Sequence, residues 1–155
     1  MTEKKFGRVP SLISMPCEWS VGPFLEKFYN GLAQKKIVGT QCPKCRTVYV
    51  PPRSLCGCCW KPLTTPKAWV EMKDQGELVN YTVAHVDVRG NDLSAPKILG
   101  LIRLQGGGSK STPIFGEIKG VAPDQVKVGM KLAAVWAAEP QGELTDLSHF
   151  QPVAK

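Results

Sequence analysis

Five of the chain's six cysteines fall within residues 42–59, in the stretch TQCPKCRTVYVPPRSLCGCCWKPL. They resolve into two C-x-x-C units, Cys42-Pro-Lys-Cys45 and Cys56-Gly-Cys-Cys59, with ten residues between them. One C-x-x-C turn brings two thiolates to one metal, and two facing turns supply four sulfurs in a tetrahedron. Cys42, Cys45, Cys56 and Cys59 are therefore the expected ligands of a single structural zinc ion. Iron in a rubredoxin-like site uses the same donors and stays open at this level. Four protein ligands leave no coordination position for water or substrate, so the metal is expected to hold structure and not to catalyse. Cys58 reads as a spare thiol on the second turn, and Cys17 as an unrelated free cysteine. A segment this short and this rich in Pro, Gly and charge cannot bury a core of its own. Metal binding substitutes for that core, and the segment reads as a zinc ribbon.

Charge is concentrated in the same place. Residues 35–73 carry eight basic side chains against one acid, Glu71, while basic and acidic residues balance over the rest of the chain. A local positive surface attracts phosphates or an acidic protein face. Residues 76–155 carry eight basic and eight acidic residues. They lack the basic track with stacking aromatics that single-stranded nucleic acid asks of an OB groove. Of their aromatics Tyr81, Phe115, Trp136 and Phe150, the apolar runs around Phe115 and Trp136 read as core.

The remaining elements follow from periodicity. GPFLEKFYNGLAQKK places Phe24, Phe28 and Leu32 four residues apart with Leu25 beside them, one face of a helix of about three turns. KIVGTQC predicts the first ribbon strand, and TVYVPPR a short one stopped by Pro51-Pro52. From AWVEM to KLAAVW, apolar alternation broken by Gly predicts about five strands, with a helical turn near Pro123–Val126. GGGS at 106–109 lacks the Gly-Lys-Ser/Thr of a phosphate loop and reads as a flexible hairpin turn. A five-stranded barrel of the OB type fits best, with an SH3-like barrel or an open sandwich as alternatives. The fold class is mainly β: an N-terminal arm and helix over 1–36, a ribbon over 37–66 and a barrel over 67–155. At 155 residues with 43% apolar content the chain suffices for one domain plus a small module. No run is long enough to span a membrane. The N-terminus does not read as a signal peptide, so the cytoplasm is the expected compartment. His85 and His149 suggest no nucleophile–base set, and the chain does not read as an enzyme by itself.

The order of these parts resembles a family of acyl-CoA-associated proteins that join a rubredoxin-like zinc ribbon to an OB fold. The resemblance rests on the helix beginning PF, on QCPKC and PPRSLCGCC, and on the closing GVAPDQVKVGMKLAAVW. It spans roughly residues 22–138. In that family the second turn commonly reads C-P-x-C; here Gly57 and Cys58 stand instead, leaving the ligand spacing intact. The resemblance implies a non-catalytic subunit of a hetero-oligomer with a thiolase-superfamily enzyme. The partner would supply the chemistry, an acyltransferase reaction that cleaves or forms a 3-oxoacyl-CoA, and this chain would help shape the pocket for the CoA thioester. The small subunit of a benzoylsuccinyl-CoA-type thiolase is one such case, and partnership with a CoA-thioester aldolase is the alternative. Phe24 and Phe28 are the expected contacts with the partner. A nucleic-acid-binding module is the rival reading, and no CoA-contacting residue is marked by a motif.

Overall fold

The structure, a computed structural model, describes residues 19–87, 89–107 and 110–153. Cys17 and most of the N-terminal arm lie outside them.

Helix α1 covers Gly22–Ala33, with Pro23 in its first turn, where the missing N–H costs nothing. It ends on Lys35, whose φ of 57° is left-handed. The Lys36 N–H donates to the Gly31 carbonyl and the Lys35 N–H to the Leu32 carbonyl, a Schellman closure that usually employs glycine. The apolar face read from the sequence packs inward. Phe28 and Leu32 are fully buried, each contributing about 2–3 kcal/mol through removal from water.

Three strands form the ribbon sheet in the order β2-β1-β3: β1 is Ile37–Gln41, β2 is Val48–Tyr49 and β3 is Trp69–Met72. Strand β3 runs antiparallel to β1, pairing Ile37 with Met72 and Thr40 with Trp69. The expected first barrel strand thus closes the ribbon instead. The barrel comprises β4 (Gln75–Val86), β5 (Asp92–Leu104), β6 (Ile114–Ile118), β7 (Lys131–Trp136) and β8 (Leu147–Pro152). Its order is β4-β5-β6-β8-β7, closed by β7 on β4. Strand β8, unforeseen in the sequence, pairs parallel with β6 and antiparallel with β7. This is a five-stranded OB-type barrel.

Ribbon and barrel share one core. Phe28, Leu32, Ile37, Val48 and Val50 lie in the same buried cluster as Leu78, Ile102, Leu132 and Phe150. Backbone bonds stitch the seam: Val48 N–H donates to the Lys110 carbonyl and Thr112 N–H to the Val48 carbonyl. Gly107 explains part of the glycine run. A Cβ there would sit 2.6 Å from the Ser111 Cβ and 2.9 Å from the Met72 Cε. It is buried, so at this position glycine serves close approach at the seam rather than flexibility; residues 108–109 lie outside the described set.

One aromatic expectation inverts: Phe115, read as core, faces outward, and Phe150, on which no expectation was placed, fills the core. Phe115 is 64% exposed and Phe150 is 1% exposed. In β6 the alternation turns Ile114 and Ile118 inward and Phe115 outward. Trp136 is half-buried against the core.

A buried carboxylate fastens the loop before β8. Asp146 is 2% exposed and accepts the N–H groups of Gln141 (2.9 Å), Gly142 (2.7 Å) and Glu143 (3.0 Å). Gly142 in turn approaches the Tyr29 carbonyl and Ala33 of α1, so this loop seats the helix. Burial raises the Asp146 pKa, but the three donors outweigh it and the net shift is downward. A depressed carboxyl stabilises the fold above its unfolded value of about 3.9 and loses that contribution as pH falls through the folded value. Asp146→Ala orphans three donors and is expected to lower Tm by several degrees near neutral pH. The deficit should shrink as pH drops into the acid range, as thermal scans of both proteins from about pH 2 to 7 will check.

Candidate metal centre and the adjoining cleft

Each C-x-x-C unit folds into the same turn. In the first, Arg46 N–H donates to the Cys42 carbonyl and Cys42 N–H to the Thr47 carbonyl, both at 2.9 Å. In the second, Trp60 N–H donates to the Cys56 carbonyl (3.0 Å) and Cys56 N–H to the Lys61 carbonyl (2.9 Å). Arg46 and Trp60 occupy equivalent left-handed positions, with φ of 62° and 54°.

The two turns bring Cys42, Cys45, Cys56 and Cys59 together, all four sulfurs within 4.8 Å of one another. Sulfur–sulfur distances are 3.7 Å for Cys42–Cys59, 3.5 Å for Cys45–Cys56 and 3.6 Å for Cys56–Cys59. A tetrahedral zinc with sulfur bonds of about 2.3 Å requires edges of about 3.8 Å, so the donor set fits the ion. Cys42 and Cys56 are fully buried. Cys58 is exposed and lies outside the four-sulfur cluster.

Tyr49 supports the centre, a role no spacing rule signals. Its hydroxyl accepts the Gly57 N–H at 3.0 Å and lies 3.4 Å from the Cys56 Sγ. That hydroxyl, against the opposing effect of burial and with help from the Cys59 and Cys58 backbone, lowers the Cys56 thiol to about 6. Cys59 is pushed up to about 12 by its contact with Cys45 and by burial. A lowered thiol favours the thiolate that a metal binds.

Beside the centre, the start of α1 and the loop after β2 enclose a cleft of about 680 Å³, lined by Val21, Phe24, Pro52, Arg53, Ser54 and Leu55 among others. Phe24 is half-buried and stacks on Trp69 at 5.3 Å, and the Lys27 ammonium lies 4.2 Å from the same indole. Phe28, by contrast, points into the chain's own core with no exposed surface. Of the two phenylalanines expected to face a partner, only Phe24 reaches the cleft. On the barrel, the cleft over β4–β6 is lined by Asn80, Tyr81, Thr82, Leu99, Leu101 and Phe115, with no charged side chain.

The rubredoxin-like zinc ribbon domain of ChsH2 matches residues 30–63, and the C-terminal OB-fold domain of ChsH2 matches residues 69–137. The chain belongs to the ChsH2-type family. A DUF35 domain-containing scaffold protein of Methanocaldococcus jannaschii is 30% identical over 100 residues, 64% of this chain and 67% of that protein. A probable enoyl-CoA hydratase alpha subunit of Thermomonospora curvata is 28% identical over 129 residues. That alignment takes in 81% of this ChsH2-type chain but only 36% of the longer relative. Among solved structures, a DUF35-family protein of unknown function from Sulfolobus solfataricus superposes with a TM-score of 0.61 at 30% identity, over 84% of both chains. The Ltp2-ChsH2(DUF35) aldolase superposes with a TM-score of 0.58 at 21% identity, over 87% of this chain and 98% of the other, a likeness of fold. No helix among the described residues is long and apolar enough to cross a membrane.

Proposed function

We propose that this ChsH2-type chain is a non-catalytic, zinc-stabilised partner subunit of an enzyme that processes acyl-CoA thioesters. The observation that carries the reading is the tandem of ribbon and barrel in one core, matched to the ChsH2 domains and to a relative named as a scaffold. The metal centre, with four sulfurs in its coordination sphere, acts as a framework. Its basic surroundings, and the cleft between α1 and the ribbon, face the catalytic subunit and the phosphate-bearing end of coenzyme A. Phe24 and Arg53 line that cleft, one apolar and one cationic.

A thiolase-superfamily catalytic subunit, thiolysing or forming a 3-oxoacyl-CoA, is the leading form of this reading. An aldolase acting on CoA thioesters is the second, favoured by the structural likeness to the Ltp2-ChsH2(DUF35) aldolase. The catalytic subunit that purifies with the chain separates them when assayed with and without it for thiolysis of 3-oxoacyl-CoA and for aldol cleavage of a 3-hydroxyacyl-CoA. Stimulation of either reaction supports the partner role and names the chemistry. Unchanged rates and unchanged stability of the catalytic subunit would overturn it.

A further inference from the structure

Trp60 occupies a position that folding alone does not favour for tryptophan. It follows the last ligand of the second turn at φ 54°, where glycine carries the least strain. It is 75% exposed, and no aromatic ring or cation among the described residues stacks on it. Trp69 and Trp136 differ: the first stacks on Phe24 and the second packs against the core. An indole held in a strained backbone position and presented to solvent contributes little to this chain's own stability.

The charged residues of the two turns are all of one sign. Lys44, Arg46 and Lys61 are exposed on the same two turns, and no Asp or Glu occurs between Lys36 and Val70. An exposed Trp on two turns whose charged residues are all cations matches the composition of interface hot spots, in which Trp and Arg predominate. The complementary surface is an acidic face with an apolar socket.

We propose that this ribbon tip, with Trp60 as anchor, docks on the catalytic CoA-processing subunit, the indole seated in a socket ringed by that subunit's carboxylates. This rests on the partner role proposed above. Nucleic acid is the less favoured occupant. A single strand asks for a continuous basic track with successive stacking rings; the barrel cleft that holds Tyr81 and Phe115 is uncharged, and the one lined by Arg103 and Lys131 also carries Glu77 and has no aromatic ring.

The test replaces Trp60 with p-benzoylphenylalanine in the full chain, expressed in its native cells, with Phe115→p-benzoylphenylalanine as the comparison. Irradiation should link position 60, and not 115, to a CoA-processing enzyme subunit. Linkage from 115 alone, or from neither position while such a subunit still co-purifies, overturns the docking site and leaves the partner role standing. Absence of any CoA-processing subunit overturns both. Nuclease-sensitive adducts at position 60 assign the tip to nucleic acid and overturn the proposal.

Trp60→Gly separates docking from folding, because glycine suits the left-handed turn. The variant should keep its metal and its Tm, while affinity for the recovered catalytic subunit falls at least about thirtyfold, the scale of a lost hot spot. Lys44→Glu with Lys61→Glu should slow association and flatten its salt dependence. Unaltered affinity of Trp60→Gly would contradict the assignment.

Discussion

Replacing Cys56 with serine, or stripping the metal with a chelator, is expected to unfold the ribbon, whereas Cys58→Ser is expected to leave metal content and Tm essentially unchanged. Cys56 sits within 3.5–3.6 Å of two other sulfurs, and Cys58 is an exposed thiol outside the cluster. The ribbon's own buried cluster is small: Cys42, Tyr49, Cys56, Leu63 and Ala68. Metal binding in such modules supplies on the order of 10 kcal/mol of folding free energy, far more than those side chains provide. Damage should spread to the seam, because Val48 and Val50 belong to the core shared with Phe28 and the barrel. Hydrogen exchange should therefore show residues 37–63 unprotected and α1 weakened, with the barrel strands less affected. Because protons compete with the metal for thiolates, acid should shift the chelator titration toward easier release. A Cys58→Ser protein that loses its metal, or a Cys56→Ser protein that keeps it, would mean that the two thiols exchange roles.

The second large effect is expected from Phe150→Ala, at about 3–5 kcal/mol, the range for removing a buried aromatic ring. Phe150 is 1% exposed and packs directly over Gly116, where a Cβ would fall 2.6 Å from its ring. The barrel is thus built around this ring, with glycine opposite as the space it needs. The same strand joins β6 and β7, so a cavity here loosens the closure itself. Gly116→Ala should also destabilise, by about 1–3 kcal/mol through overpacking. Urea unfolding followed by far-ultraviolet circular dichroism measures both. A loss below about 1 kcal/mol for Phe150→Ala would show that the ring is not central to the barrel core.

The ribbon was legible because metal ligation is a short-range code. Two C-x-x-C units lie within 18 residues, and the structure brings those four sulfurs together and leaves Cys58 outside the cluster. Helix α1 was legible through its period, with Phe28 and Leu32 buried as their spacing implies. The barrel gave up its strand number but not its strand membership. Trp69–Met72 alternates like a barrel strand, and only its hydrogen bonds to β1 assign it to the ribbon. Leu147–Pro152 contains Ser, His and Gln beside its one buried ring, so its pattern is too weak to announce a strand, yet Phe150 completes the core. Phe115 misled because Ile114 lies next to it: an apolar run does not say which of two neighbours faces inward, and the register of β5 with β6 decides that. Phe28 misled for a related reason, since an apolar helix face signals burial without naming what buries it. The cleft and the Tyr49 contact with Cys56 arise from segments joined only by folding, and no local spacing encodes them.

Native mass spectrometry of the complex purified from its own cells bears most sharply on the proposal that the chain is a zinc-built partner of a CoA-processing enzyme. The predicted result is a hetero-oligomer in fixed ratio with a thiolase- or aldolase-type subunit, with one zinc ion for each copy of this chain. A chain recovered without any such subunit, or bound to nucleic acid after high-salt washing, would contradict the claim.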